Sequence, residues 1–248
     1  MKRKLKILSI CFGLLIIIAG LIFLKLSGRS AAIIYDQTHD NPYVTTKAEL
    51  DVILHSFEKV SYKEIDKDYL KYSKMNLSKY SSMVRSGTFY KVPGDSIYHR
   101  IVGKTRIKNL VSKDKNYYAA LRGEDVDVYW LLDKRILYKV IELQDELEKM
   151  GHDRNALFLR SGHRHPRRND EVGGATRSQH LSGKAVDISV QDINRDGKYT
   201  EEDKKIVLDL AENKIIKNSG GVGLYPGTRA VHLDIRGHRA RWNSYSRK

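Results

Sequence analysis

Two short segments, KAVDISV at 184–190 and RAVHLDIRG at 229–237, alternate apolar and polar residues with a period of two. That is the period of a β-strand, in which residues i and i+2 share a face. In the second segment Val231 and Leu233 then enter the core while His232 and Asp234 project together. In the first, Ala185 and Asp187 share one face and Val186 and Ile188 the other. Laid side by side, the two strands gather Asp187, His232 and Asp234, and His180 reaches the same point from a loop bent at Gly183. Two imidazoles and a carboxylate suffice for a zinc centre that keeps one position open for water.

The surrounding pattern is α+β. ALFLRSG at 156–162 reads as another strand, and a helix of about 201–213 falls between the two strands above. WLLDKRILYKVIELQDELEKM carries an apolar stripe of Leu131, Ile136, Val140, Ile141, Leu143 and Leu147, which predicts a helix over about 129–150 that stops at Gly151. Between about 46 and 83, apolar and aromatic residues three and four apart predict two amphipathic helices, and residues 88–125 hold short strands and turns. The expected fold class is a small antiparallel sheet flanked by helices and carrying the zinc site.

The N-terminus adds a membrane element. MKRK precedes an uncharged apolar run from Ile7 to Leu24, and such a run, at ~1.5 Å per residue, nearly matches the ~30 Å hydrocarbon core of a bilayer. It reads as a single uncleaved anchor, with the basic tip in the cytoplasm and the rest of the chain outside, on the periplasmic or cell-wall side. The expected organisation is a basic tip and anchor at 1–27, a linker and helical region at 28–100, and the zinc domain at 101–248. The only cysteine, Cys11, lies in the anchor, so the exported part forms no disulfide. A net charge of +15, from 45 Lys+Arg against 30 Asp+Glu, suits a polyanionic partner such as an anionic wall polymer. With an anchor and no recognisable nucleic-acid motif, nucleic acid is set aside.

A second metal site is expected at 192–203. Asp192, Asn194 and Asp196 stand at positions 1, 3 and 5 of a twelve-residue loop, Gly197 at 6, Lys198 at 7 and Asp203 at 12. This is the EF-hand spacing for calcium, with Lys198 offering its backbone carbonyl. Asp203 in place of the usual Glu resembles the calcium loops of dockerin modules. The plainer reading is a turn leading to a helix capped by Thr200.

Four segments occur in a meaningful order: SGHRHPRRN at 161–169, SQHLSGKAVDI at 178–188, GGVGLYP at 220–226 and VHLDIRGHRARW at 231–242. They resemble the motifs of the peptidase M15 group of zinc DD- and LD-peptidases, in the branch whose last motif is His-x-Asp. The resemblance covers about 131–242. It implies His180, Asp187 and His232 as zinc ligands and Arg164 as a cation beside the scissile carbonyl or a substrate carboxylate. It further implies that zinc-activated water cleaves amide bonds in peptidoglycan stem peptides. Many relatives carry a Glu three residues, or a His two residues, before the last zinc histidine as base. Here Arg229 and Ala230 stand there, so Asp234 is expected to take the proton, or else to exchange roles with His232. His163, His165 and His238 are expected to be surface or substrate-contact residues. The hedgehog signalling domain has a similar zinc motif, which leaves a non-catalytic zinc- and calcium-dependent binding module as the alternative.

Overall fold

Strand pairing organises the chain around the two alternating segments. The computed structural model describes residues 41–243. Its strands are β1 Glu58–Val60, β2 Phe89–Pro93, β3 Arg100–Val102, β4 Thr105–Arg106, β5 Asp127–Leu131, β6 Leu157–Ser161, β7 Ala185–Val190, β8 Gly221–Leu224, β9 Ala230–Asp234 and β10 Ala240–Trp242. The larger sheet has the order β10-β8-β9-β7-β6 and is antiparallel except where β10 runs parallel to β8. A three-stranded antiparallel sheet, β1-β2-β5, and the β3-β4 pair complete the β structure. The fold is thus mixed α+β with small, mostly antiparallel sheets. The expected anchor at 7–24, Cys11 and the start of the linker lie outside the described residues. Among the described residues no helix is long and apolar enough to cross a membrane.

The helices form where local sequence closes their ends. Thr46 and Glu49 make a reciprocal capping box at the start of Lys47–His55: Glu49 N–H donates to Thr46 Oγ1 at 3.2 Å and Thr46 N–H to Glu49 Oε2 at 3.0 Å. This helix stops at Ser56, and the following residues turn into β1 rather than extending it. The second expected helix is divided into Lys67–Tyr72 and Ser78–Val84, because Lys74 adopts a left-handed conformation with φ of 61°.

The helix expected at about 129–150 begins later, at Arg135, and runs to Lys149. Residues 127–131 instead form β5, which pairs Leu131 with Phe89 and Trp130 with Tyr90 and buries Trp130 and Leu131 completely. Tertiary pairing has overridden the helical periodicity there. The remaining stripe, Ile136, Leu137, Val140, Ile141, Leu143 and Leu147, is buried. Each such side chain contributes about 1.5–3 kcal/mol of burial. The helix at Glu201–Leu210 ends in a wider π turn over Ala211–Ile215, and both lean on Arg135–Lys149. Its Lys204 is buried and donates from Nζ to the carbonyls of Tyr225, at 2.8 Å, and Thr228, at 2.5 Å, which ties down the β8–β9 turn.

The smaller sheet and the larger one meet at Gly183. This residue ends a short 3-10 turn, Gln179–Ser182, in left-handed geometry, and its carbonyl accepts Asp133 N–H at 3.0 Å. A Cβ here would lie 2.3 Å from the Leu131 carbonyl oxygen. Gly183→Ala is therefore expected to cost at least the ~1–2 kcal/mol of left-handed strain, a fall in melting temperature of about 2–8 °C. Circular dichroism melts check this, and an unchanged midpoint contradicts it.

Candidate metal centre and cleft

In the antiparallel register of β7 and β9, Asp187 lies directly opposite His232. The alternation that sends Val186, Ile188, Val231 and Leu233 into the core turns these two polar side chains to the other face, as their spacing predicts. His180 enters from the 3-10 turn just before β7, positioned by Arg164 N–H, which donates to the His180 carbonyl at 3.1 Å. His180, Asp187 and His232 each place one ligand atom so that all lie within 4.8 Å of one another.

The hydrogen bonds around the two imidazoles select their tautomers. His180 Nδ1–H donates to the Gly162 carbonyl at 2.6 Å, which leaves Nε2 with its lone pair, 3.3 Å from Asp187 Oδ1. That nitrogen is buried and makes no hydrogen bond. His232 Nε2–H donates to Asp234 Oδ2 at 3.0 Å, which leaves Nδ1 as the nitrogen facing Asp187 Oδ1, at 3.0 Å. Once a proton between His232 Nδ1 and Asp187 leaves, three lone-pair atoms converge with no donor between them, an arrangement that a divalent cation satisfies. The donor set, two imidazoles and a carboxylate, is one that zinc accepts, and each histidine has the outer hydrogen bond that metal-bound histidines ordinarily make.

Asp234 sits behind this group. It is fully buried and accepts Gly221 N–H at 2.9 Å, Arg236 Nη2 at 2.5 Å and Arg236 Nε at 2.9 Å, besides His232. The GGVG segment makes this approach possible, because a Cβ on Gly221 would come within 2.3 Å of the Asp234 carboxylate. At the next glycine of β8, Gly223, the missing side chain gives room to the Trp242 indole, which packs on His232 with ring centres 5.0 Å apart. The Arg236 guanidinium lies over the same indole, 5.3 Å from its ring centre.

Charge is balanced tightly across the group. Burial would raise the Asp187 pKa, but His180 and His232 together hold it well below the usual carboxylate range. Burial would lower His232, but its hydrogen bonds to Asp187 and Asp234 outweigh this and raise it above the ordinary imidazole value. His180 is lowered by burial. Asp234, despite burial, is held far below its ordinary value by hydrogen bonds from His232 and Arg236.

The group opens into a cleft of about 670 Å³. Arg164 lines it, with Nη2 on Asp187 Oδ2 at 2.6 Å and Nε on Ser161 Oγ at 3.0 Å. His163 and His165 are buried rather than on the surface, whereas His238 is exposed. Neither ring nitrogen of His163 has a partner, and burial pushes its pKa down to about 3, so it stands neutral in the cleft wall. His165 Nδ1 accepts Arg168 N–H at 3.0 Å and caps the helix Pro166–Glu171. Sequence spacing did not single out Gly221 or Trp242, whose contributions depend on the contact between β8, β9 and β10.

The loop at 192–203 turns at Gly197, with φ of +92°, as its spacing predicts. Its side-chain oxygens, however, meet its own backbone. Asp192 Oδ2 accepts Gly197 N–H at 2.8 Å, Asn194 Oδ1 accepts Asp196 N–H at 3.1 Å and Asp196 Oδ1 accepts Lys198 N–H at 3.1 Å. Asp203 is buried and accepts Ile193 N–H at 2.7 Å and Thr200 N–H at 2.6 Å, which closes the loop onto the helix start. Among the described residues the converging acidic and imidazole atoms are those of His180, Asp187 and His232, and the loop carboxylates do not form such a group.

Because the metal-free His232 holds its proton to higher pH than an ordinary imidazole, a cation at Nδ1 must displace that proton. Zinc affinity is therefore expected to fall about tenfold per pH unit as the pH drops, with the fall already under way above the ~6.5 of an ordinary imidazole. Competition with a chromophoric chelator measures it, and an affinity flat from pH 8 to pH 5 contradicts it.

No curated protein and no solved structure gave a match to the chain. Residues 131–234 match a family model described as Peptidase M15. That span contains β6, β7, β8, β9 and all three converging residues, His180, Asp187 and His232.

Proposed function

We propose that this chain is a zinc-dependent peptidase that hydrolyses amide bonds in peptidoglycan stem peptides containing D-amino acids. The observation that carries the reading is the convergence of His180 Nε2, Asp187 Oδ1 and His232 Nδ1 inside the segment matched by the family model. Bound there, zinc supplies a Lewis acid that activates water and polarises an amide carbonyl. Arg164, in the cleft wall, provides positive charge where the carbonyl oxygen becomes negative. Its contact with Asp187 also holds that carboxylate for binding. Asp234 serves as a positioning residue, fixing the His232 tautomer through Nε2–H. This differs from the base expected from the sequence, since an enclosed carboxylate already accepting from Gly221 and Arg236 has neither the basicity nor the exposure to collect a proton from water in the cleft. The apolar run 7–24 would hold the domain on the outer face of the cell membrane.

One observation favours a second reading. Among the described residues Asp187 is the only acidic one lining the cleft, and none of them places a second carboxylate there as a base. A non-catalytic zinc-dependent binding module, like the hedgehog relatives, fits that arrangement.

Digestion of purified peptidoglycan by the full chain separates the two readings. The enzyme reading expects new peptide products, identified by mass, that vanish with a chelator and return with zinc. His180→Ala is expected to lower the rate at least ~10²-fold, the scale of losing one essential electrostatic element. Binding without any product at matched zinc loading supports the module instead.

Calcium in the 192–203 loop is a separate proposal, supported by ligand spacing and by the turn at Gly197. Added calcium is expected to raise the melting midpoint of the wild type and not of Asp192→Ala. A midpoint indifferent to calcium rejects it.

A further inference from the structure

Among the described residues the cleft is lined by Lys113, Arg160, Arg164, Arg168, Arg177 and Arg236, against Asp187 as the only acidic one. Three of these cations are already occupied: Arg164 by Asp187, Arg236 by Asp234 and Arg168 by Glu171. Among the described residues, the side chains of the other three, Lys113, Arg160 and Arg177, have no ion-pair or hydrogen-bond partner. They are exposed and come from different places: Lys113 from the segment before the helix Lys115–Leu121, Arg160 from β6, and Arg177 from the loop leading to His180. Similar charges gathered around one concave site repel one another and focus a positive field into it. A metal at His180, Asp187 and His232 adds to that field. Elsewhere on the chain some cations find carboxylates, as Lys47 does with Glu142 and Lys74 with Asp170, whereas these three share a concave site whose lining offers them none. The unpaired cations at the cleft therefore have a partner only when something anionic occupies it.

We infer that Lys113, Arg160 and Arg177 select acidic peptides, in which at least two free carboxylates flank the amide held at the metal centre. The inference rests on the peptidase reading and narrows its substrate class to stem peptides whose carboxylates are not amidated. Three cations on separate elements fit separated single charges along a short peptide better than one compact anion. The fixed position of Arg164, tied to both Ser161 and Asp187, leaves recognition of the outlying carboxylates to the three unpaired side chains.

The test uses two fluorescein-labelled D-Ala-terminated pentapeptides, identical except that one carries free glutamate and C-terminal carboxylates and the other their amides. Anisotropy with the full, zinc-loaded chain is expected to show the acid form bound about tenfold tighter, with the advantage shrinking as salt rises from 50 to 500 mM. Arg160→Ala and Arg177→Ala should each remove most of that advantage, as should Lys113→Ala. Lys63→Ala, which removes the same charge from an exposed site that does not line the cleft, should not. In turnover, the same three substitutions should raise KM with kcat nearly unchanged. Equal binding of acid and amide forms overturns the inference, as does displacement of the acid peptide by sodium polyphosphate at lower charge concentration than by unlabelled acid peptide. Hydrolysis of both forms at equal kcat/KM sinks this inference and leaves the peptidase reading standing. Acid-selective binding without hydrolysis does the reverse.

Discussion

The pairing of Asp187 with His232 across β7 and β9 is the constraint on which the site depends. A slip of one residue in either strand would send its polar side chains into the core and its valines, leucine or isoleucine into the cleft. The register is therefore fixed by the apolar residues on the opposite face, Val186, Ile188, Val231 and Leu233, all of them buried. Hydrophobic packing on one side of the sheet thus sets a metal geometry on the other. Gly183 carries the same constraint to His180, since the turn it closes is pressed against the Leu131 carbonyl.

Electrostatics explains why so much polar structure lies behind the ligands. Burying carboxylates such as Asp187 and Asp234 without partners would cost several kcal/mol each. Asp234 is compensated by Arg236, Gly221 and His232. Asp187 has Arg164 on one oxygen and, on the other, two imidazole nitrogens, His180 Nε2 and His232 Nδ1. A cation at that point completes the balance. In its absence, the raised proton affinity of His232 provides part of the missing charge. The arrangement couples metal binding to a proton through a residue that the rest of the fold holds rigidly, with Trp242 against its ring.

Much of this was legible in the sequence where one local rule decided the outcome. Period-two alternation marked β7 and β9, and the shared face of i and i+2 residues, with a loop bent at Gly183 for His180, brought His180, Asp187 and His232 together before any tertiary contact was known. Local rules could not reach features in which a distant partner decides. Residues 129–131 carry helical periodicity but pair with Phe89 and its neighbours as a strand. The segment 67–84 is broken by the backbone of Lys74, a residue with no turn signature. Asp234 looked like a base because its spacing shows that it shares a face with His232. Spacing could not show that Arg236 and the backbone of Gly221 enclose it. The EF-hand spacing at 192–203 likewise marks a turn and a helix start, both present, while its carboxylates are engaged by nearby amides.

The central claim is that one zinc is held by His180 Nε2, Asp187 Oδ1 and His232 Nδ1, with Asp234 on the far nitrogen of His232. Anomalous diffraction at the zinc edge from crystals of the zinc-loaded chain tests it most directly. The expected result is a single strong peak within about 2.0–2.3 Å of those three atoms, with Asp234 outside bonding distance. A peak on His232 Nε2 with Asp234 as its neighbour, or zinc bound elsewhere, would contradict it.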